Sequence, residues 1–157
     1  MNINANDAIV VAFFTTIISF IIQFFFRWYD GKNIANSFEL SVIAEIEAML
    51  SIIKKRKYRE ALEGGIALSF MGSNIASLQV DIQENYCPIY YSNLDKISLL
   101  SKKRVKDIVW FYSILASIIQ DVKPNGILNT DNVSKEAFIE CLKLLDEAIA
   151  IGNRIIK

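Results

Sequence analysis

The stretch that most constrains this chain is Ala8 to Phe26, AIVVAFFTTIISFIIQFFF. It is nineteen residues without a charge, and thirteen of them are Ile, Val or Phe. As a helix it measures about 29 Å at about 1.5 Å per residue, close to the ~30 Å hydrocarbon thickness of a bilayer. Arg27, Trp28 and Tyr29 follow directly, in the order of interfacial anchors. The expectation is one N-terminal transmembrane helix over residues 8–28, preceded by a leader at 1–7. A cleaved signal fits less well. The leader MNINAND has no Lys or Arg, the apolar run is long, and QFFFRWYD has no small-x-small cleavage pair. Thirteen strongly apolar residues favour insertion by roughly 4–8 kcal/mol before polar penalties.

Within that run, Ala12, Thr16, Ser19 and Gln23 recur at i, i+4, i+7 and i+11, which is one helical face. Small and polar residues on one stripe are where helices approach and hydrogen-bond in lipid. These four are the candidate transmembrane contact. The alternative is hydroxyls bonded to their own backbone, with Gln23 reaching toward the interface. Arg27 and Lys32 lie just after the run and no cation lies before it. The positive-inside bias therefore puts the N-terminus outside and the rest in the cytoplasm, at an inner (plasma) membrane.

After the run, Tyr29-Asp30-Gly31-Lys32-Asn33 reads as a polar break, with Asp-Gly as a turn, so that 29–37 forms a linker. Residues 38–157 then form one helical domain. The first helix is expected from Phe38 to Leu62, capped by Ser37 and stopped at Gly64-Gly65. Its basic run Lys54-Lys55-Arg56-Lys57 points all round the helix, which favours a solvated face over a headgroup-binding stripe. Residues 66–82 are ambiguous. SLQVDIQ alternates as a strand does and GIALSF is a candidate partner, yet Ile75, Leu78 and Ile82 also fit a helix face. A short helical segment follows Pro88. Helices are expected over about 102–122, capped by Ser101, and about 135–156, capped by Ser134. The fold class is mainly α: a transmembrane helix and a small antiparallel helical bundle, with a short β-hairpin around 66–82 as the alternative there.

The chemistry-bearing residues are sparse. Histidine is absent, and the 17 basic residues balance 17 acidic ones. There is thus no broad basic field for nucleic acid, and the commonest general base and metal ligand are missing. Cys87 and Cys141 fit no metal spacing. Cys87 has no basic neighbour in sequence to activate it. Glu45 and Glu47, two apart on a helix, point to different faces. No phosphate loop, dinucleotide fingerprint or nucleophile elbow is present. No cofactor and no enzymatic activity are expected.

Three segments, FELSVIAEIEAMLSIIKKRKY, CPIYYSNLDKISLL and VKDIVWFYSIL, resemble in order a loose group of small single-pass bacterial membrane proteins. That group has a cytoplasmic helix with an E-I-x-A core, then a Tyr-x-x-Asn-x-x-x-Ile-x-x-Leu segment, then a helix containing Phe-Tyr. Here the positions are Tyr90, Asn93, Ile97, Leu100 and Phe111-Tyr112. Ser98 stands where the group has Gly and Ser101 where it has Pro. The resemblance covers Phe38 to Leu115 and implies the architecture and a bacterial or phage origin, with no activity attached. The expected function is a membrane-anchored interaction or accessory protein. Its partners are membrane lipid and a protein, or a second copy met through the span. Trp110 and Phe111, with Tyr90 and Tyr91, form the candidate partner surface, against core packing as the alternative. The competing function is a membrane-acting effector, a small toxin or phage-exclusion factor, oligomerising through the span.

Overall fold

The computed structural model describes residues 5–70, 78, 80, 86–130 and 133–157; the side chains of 5–12, 14 and 70 are not described. The chain is mainly helical. A helix of 51 residues, α1 (Ala5–Lys55), comes first and α2 (Tyr58–Phe70) follows. Next are the short α3 (Pro88–Ser92) and a 3₁₀ segment (Leu94–Leu99), and then α4 (Lys102–Val122) and α5 (Lys135–Ile156). At about 1.5 Å per residue α1 is about 76 Å long.

The length of α1 corrects two expectations. The polar stretch 29–37 is not a break: it is helix throughout, Asp30-Gly31 included. A glycine in a helix interior costs about 1 kcal/mol, too little to end a helix held by packing on its C-terminal side. That packing starts at Phe38 and continues through Val42, Ile46 and Ile53, all buried. The helix also does not run on to Leu62. It ends at Lys55, and Lys57 takes a left-handed φ of 54°, a turn closed by the amides of Arg56 on Ile52 O and Lys57 on Lys54 O. The basic run 54–57 is exposed at this end, where cations complement the unpaired carbonyls.

Gly64-Gly65 lies inside α2 rather than ending a helix. Gly65 is buried, and a Cβ there would fall within the ring of Phe138 on α5. The close approach of α2 to α5 requires that glycine. This also removes the hairpin reading, because its first strand, GIALSF, is helix. Among the described residues there is no strand; the expected turn Gly72-Ser73-Asn74 lies outside them. Leu78 and Val80 instead donate their amides to Leu128 O (2.8 Å) and Val122 O (3.0 Å), so these two residues lie against the end of α4 and the connection that follows it.

The bundle is organised on α5, which packs against α4, α2 and the second half of α1. Its buried stripe is Phe138, Cys141, Leu145, Ala148, Ile151 and Ile155. Polar contacts give the direction. Arg104 reaches Ile155 O, Arg154 pairs with Asp107 and Trp110 donates to Glu147, so α4 and α5 are antiparallel. Arg59–Asp146 and Gly65–Phe138 give the same sense for α2 and α5. Ser101 and Ser134 cap α4 and α5, as their sequence predicts, accepting from the amides of Arg104 and Ala137.

The first half of α1 makes none of the burials of the second. Every described residue from Phe13 to Asp30 is exposed, with Ile17, Ile18, Phe20, Ile21, Ile22, Phe24, Phe25 and Phe26 among them. Among the described residues no helix is long and apolar enough to cross a membrane. The described side chains take in only part of the apolar run, since those of 8–12 and Phe14 are not among them.

Candidate functional site

A carboxylate on the buried stripe of α1 joins three separate segments. Glu45 is 8% exposed and lies between Val42, Ile46 and Met49 on the face that meets the domain. A buried charge must be hydrogen-bonded. Glu45 Oε1 accepts from the Ile89 amide at 2.8 Å. Its Oε2 accepts from the Tyr90 amide at 3.1 Å and from the Tyr112 hydroxyl at 2.7 Å. The local sequence explains why α3 needs this. Its N-cap residue, Cys87, makes no side-chain cap bond, and Pro88 has no amide to offer. Cys87 does not cap the next two amides, and Glu45, 44 residues before Ile89, accepts from both.

Aromatic rings close the node. Tyr90 stacks on Tyr112 with centroids 3.8 Å apart and planes 7° from parallel. Phe111 and Tyr91 meet this pair edge-on. Cys87, fully buried, lies 3.7 Å from the Met49 sulfur. Burial, and then the hydrogen bond to the Glu45 carboxylate, push the Tyr112 phenol far up. Burial, with the Glu45 charge second, pushes the Cys87 thiol up to about 12. Both stay protonated at neutral pH, so neither is a nucleophile or a base there. One turn on, Asn93 donates to Ile89 O and accepts from Lys96 Nζ, tying α3 to the 3₁₀ segment.

Beside the node is an apolar cavity of about 190 Å³. Met49, Ile53, Leu62, Tyr86, Leu115 and Leu145 are among its walls. No convergent set of polar groups lines it, and among the described residues no cluster of acidic residues and cysteines is suited to a metal ion. Chemically, the node is a latch that fixes α3 and the 3₁₀ segment onto α1.

The predicted residues divide as follows. Phe111 (0% exposed) and Tyr90 (7%) are core, not surface, which corrects the expectation for those two. Trp110 and Tyr91 are half-exposed; Trp110 donates to Glu147 at 2.7 Å and Tyr91 shares a hydrogen bond with Tyr86. Thr16, Ser19 and Gln23 lie on the exposed half of α1, and the Ala12 side chain is outside the described residues. Sequence reasoning passed over Glu45. The signal was present: Val42, Ile46 and Met49 place Glu45 on the apolar stripe, where a carboxylate requires donors from elsewhere. The acceptor, Glu45, and its donors on Ile89, Tyr90 and Tyr112 come from three segments far apart in the sequence. Comparison with protein-family models, curated proteins and solved structures finds no match to the chain.

Proposed function

We propose that this chain is a membrane-anchored interaction or accessory protein. It holds a small helical domain at the cytoplasmic face of a bacterial inner membrane, where the domain recruits or regulates a protein partner. The observation that carries this reading is α1, one helix with two environments. Its C-terminal half is built into the domain core, and its N-terminal half exposes a succession of Phe and Ile side chains. Such a surface is far more apolar than a solvated helix presents, and lipid is the solvent that matches it. With the interface at Trp28 and Tyr29, the first buried residue, Phe38, is nine residues on, or about 14 Å. The domain then sits against the headgroups, positioned by a continuous helix rather than a flexible tether. Lys32 over the Trp28 ring, 5.7 Å from its centroid, suits that boundary.

The test is twofold. Alkaline carbonate should leave the full chain in the membrane pellet, and release into the supernatant would end the anchor reading. Crosslinking in cells followed by capture from detergent extract should return one specific protein whose yield falls on Trp110→Ala. Capture of copies of this chain alone, with growth arrest and dye leakage on expression, would favour the membrane-acting effector. The polar stripe at Thr16, Ser19 and Gln23 is what supports that second reading.

A further inference from the structure

The end of the domain nearest the apolar half of α1 is basic, although the chain as a whole is neutral. Residues 94–106 carry Lys96, Lys102, Lys103, Arg104 and Lys106 against the single acid Asp95. Arg104 is taken up by Glu39 at 2.7 Å. Lys102, Lys103 and Lys106 are exposed. Leu94 and Leu99, on either side of Lys96, are each nearly half exposed, an odd choice for a surface turn in water. The height of this corner along α1 is given by a groove in which Leu99, Leu100 and Ser101 face Arg27, Trp28 and Lys32. The turn from the 3₁₀ segment into α4 is therefore level with the residues that mark the membrane boundary.

We propose that this corner is a second membrane contact, in which Leu99 enters the interfacial layer and Lys102 and Lys103 bind anionic phospholipid headgroups. The inference rests on the anchor reading above. Charge complementarity and continuity with the anchor select lipid as the occupant: juxtamembrane cations are attracted to an anionic leaflet within a Debye length of its surface. An amphipathic turn beside an existing anchor needs little further affinity, because the anchor already holds it at high effective concentration. The contact would orient the domain about the axis of α1 and present Trp110 in a set direction along the membrane plane.

The experiment uses the full chain in nanodiscs of phosphatidylcholine, with or without phosphatidylglycerol. An environment-sensitive fluorophore is placed through Leu99→Cys, and through Phe20→Cys in a parallel sample. Cys87 and Cys141 are buried and stay unlabelled in the folded protein. The label at 99 should be quenched by lipid-borne nitroxide in anionic discs, and much less in neutral discs or at high salt. Lys102→Glu/Lys103→Glu should lower the docked-to-undocked ratio by at least about thirtyfold. Quenching at 20 but none at 99 in either lipid would overturn the second contact and leave the anchor standing. Quenching at 99 that ignores phosphatidylglycerol, salt and the charge reversal would overturn the headgroup assignment. Absence of lipid quenching at 20 would sink the anchor and this inference with it.

Discussion

Glu45 accepts three hydrogen bonds on two oxygens, from the amides of Ile89 and Tyr90 and the hydroxyl of Tyr112. Glu45→Gln replaces one oxygen with an amide group that is itself a donor, so at least one donor is opposed. The expected loss is about 2–4 kcal/mol, read by chemical denaturation of the detergent-solubilised chain. Tyr112→Phe removes a donor and leaves the amides satisfied, so it should cost only about 1–2 kcal/mol. The double variant should cost less than the sum, because the lost hydroxyl relieves the donor clash. Additive costs would mean the two groups act apart. The thiols make a second residue-scale prediction. Burial pushes the Cys87 and Cys141 thiols up to about 12, well above the ordinary thiol range near 9.0. Between those limits the unfolded chain loses protons that the folded one keeps. Their stability contribution is whole below pH 9 and falls as pH rises toward 12, by about 1.4 kcal/mol per pH unit for each thiol. Denaturation midpoints from pH 8 to 10.5 should decline more gently in Cys87→Ala/Cys141→Ala. An equal decline would assign the loss to the buried tyrosines.

At the scale of the element, two adjacent glycines in α2 carry opposite roles. Gly64 is exposed, and a Cβ there would meet nothing within 4 Å. Gly64→Ala should stabilise by about 0.5–1 kcal/mol through helix propensity and the unfolded chain's entropy. Gly65 faces Phe138, itself 1% exposed and without room to turn aside. Gly65→Ala should cost about 1–3 kcal/mol through overpacking. Thermal unfolding of the two single variants, side by side, checks this; matching signs would mean that α2 does not cross α5 at this point. The same pair shows why a Gly-Gly signal was misread as a helix stop. In sequence a glycine signals conformational freedom, and only the neighbouring helix shows that the missing side chain was the requirement.

For the whole molecule, α1 makes any partner of its apolar N-terminal half mechanically continuous with the domain. If Thr16, Ser19 and Gln23 meet a second helix, Gln23→Leu should weaken association by about 0.5–2 kcal/mol while leaving insertion intact or improved. A transmembrane association reporter comparing wild type, Gln23→Leu and Ser19→Leu at equal membrane level reads this directly. Equal signals would show the stripe facing lipid. Because no flexible linker intervenes, a rotation of α1 on association would turn the domain by the same angle. The latch at Glu45 would then carry α3 and the 3₁₀ segment along with it.

What the amino-acid order determined alone is whatever depends on local periodicity and capping. The limits of α4 and α5 follow from Ser101, Ser134, the three-four apolar stripes and Pro124-Asn125-Gly126, and all of these are legible within a few residues of chain. The apolar run was legible for the same reason. Tertiary structure decided what depends on distant groups. Whether Asp30-Gly31 and Gly64-Gly65 break a helix was settled by packing, which outweighs a propensity cost of about 1 kcal/mol. Phe111 became core because Gly152 on α5 leaves space beside its ring. Glu45 became the link between α1, α3 and α4 because its donors lie on Ile89, Tyr90 and Tyr112, at least 44 residues away, which no local pattern reveals.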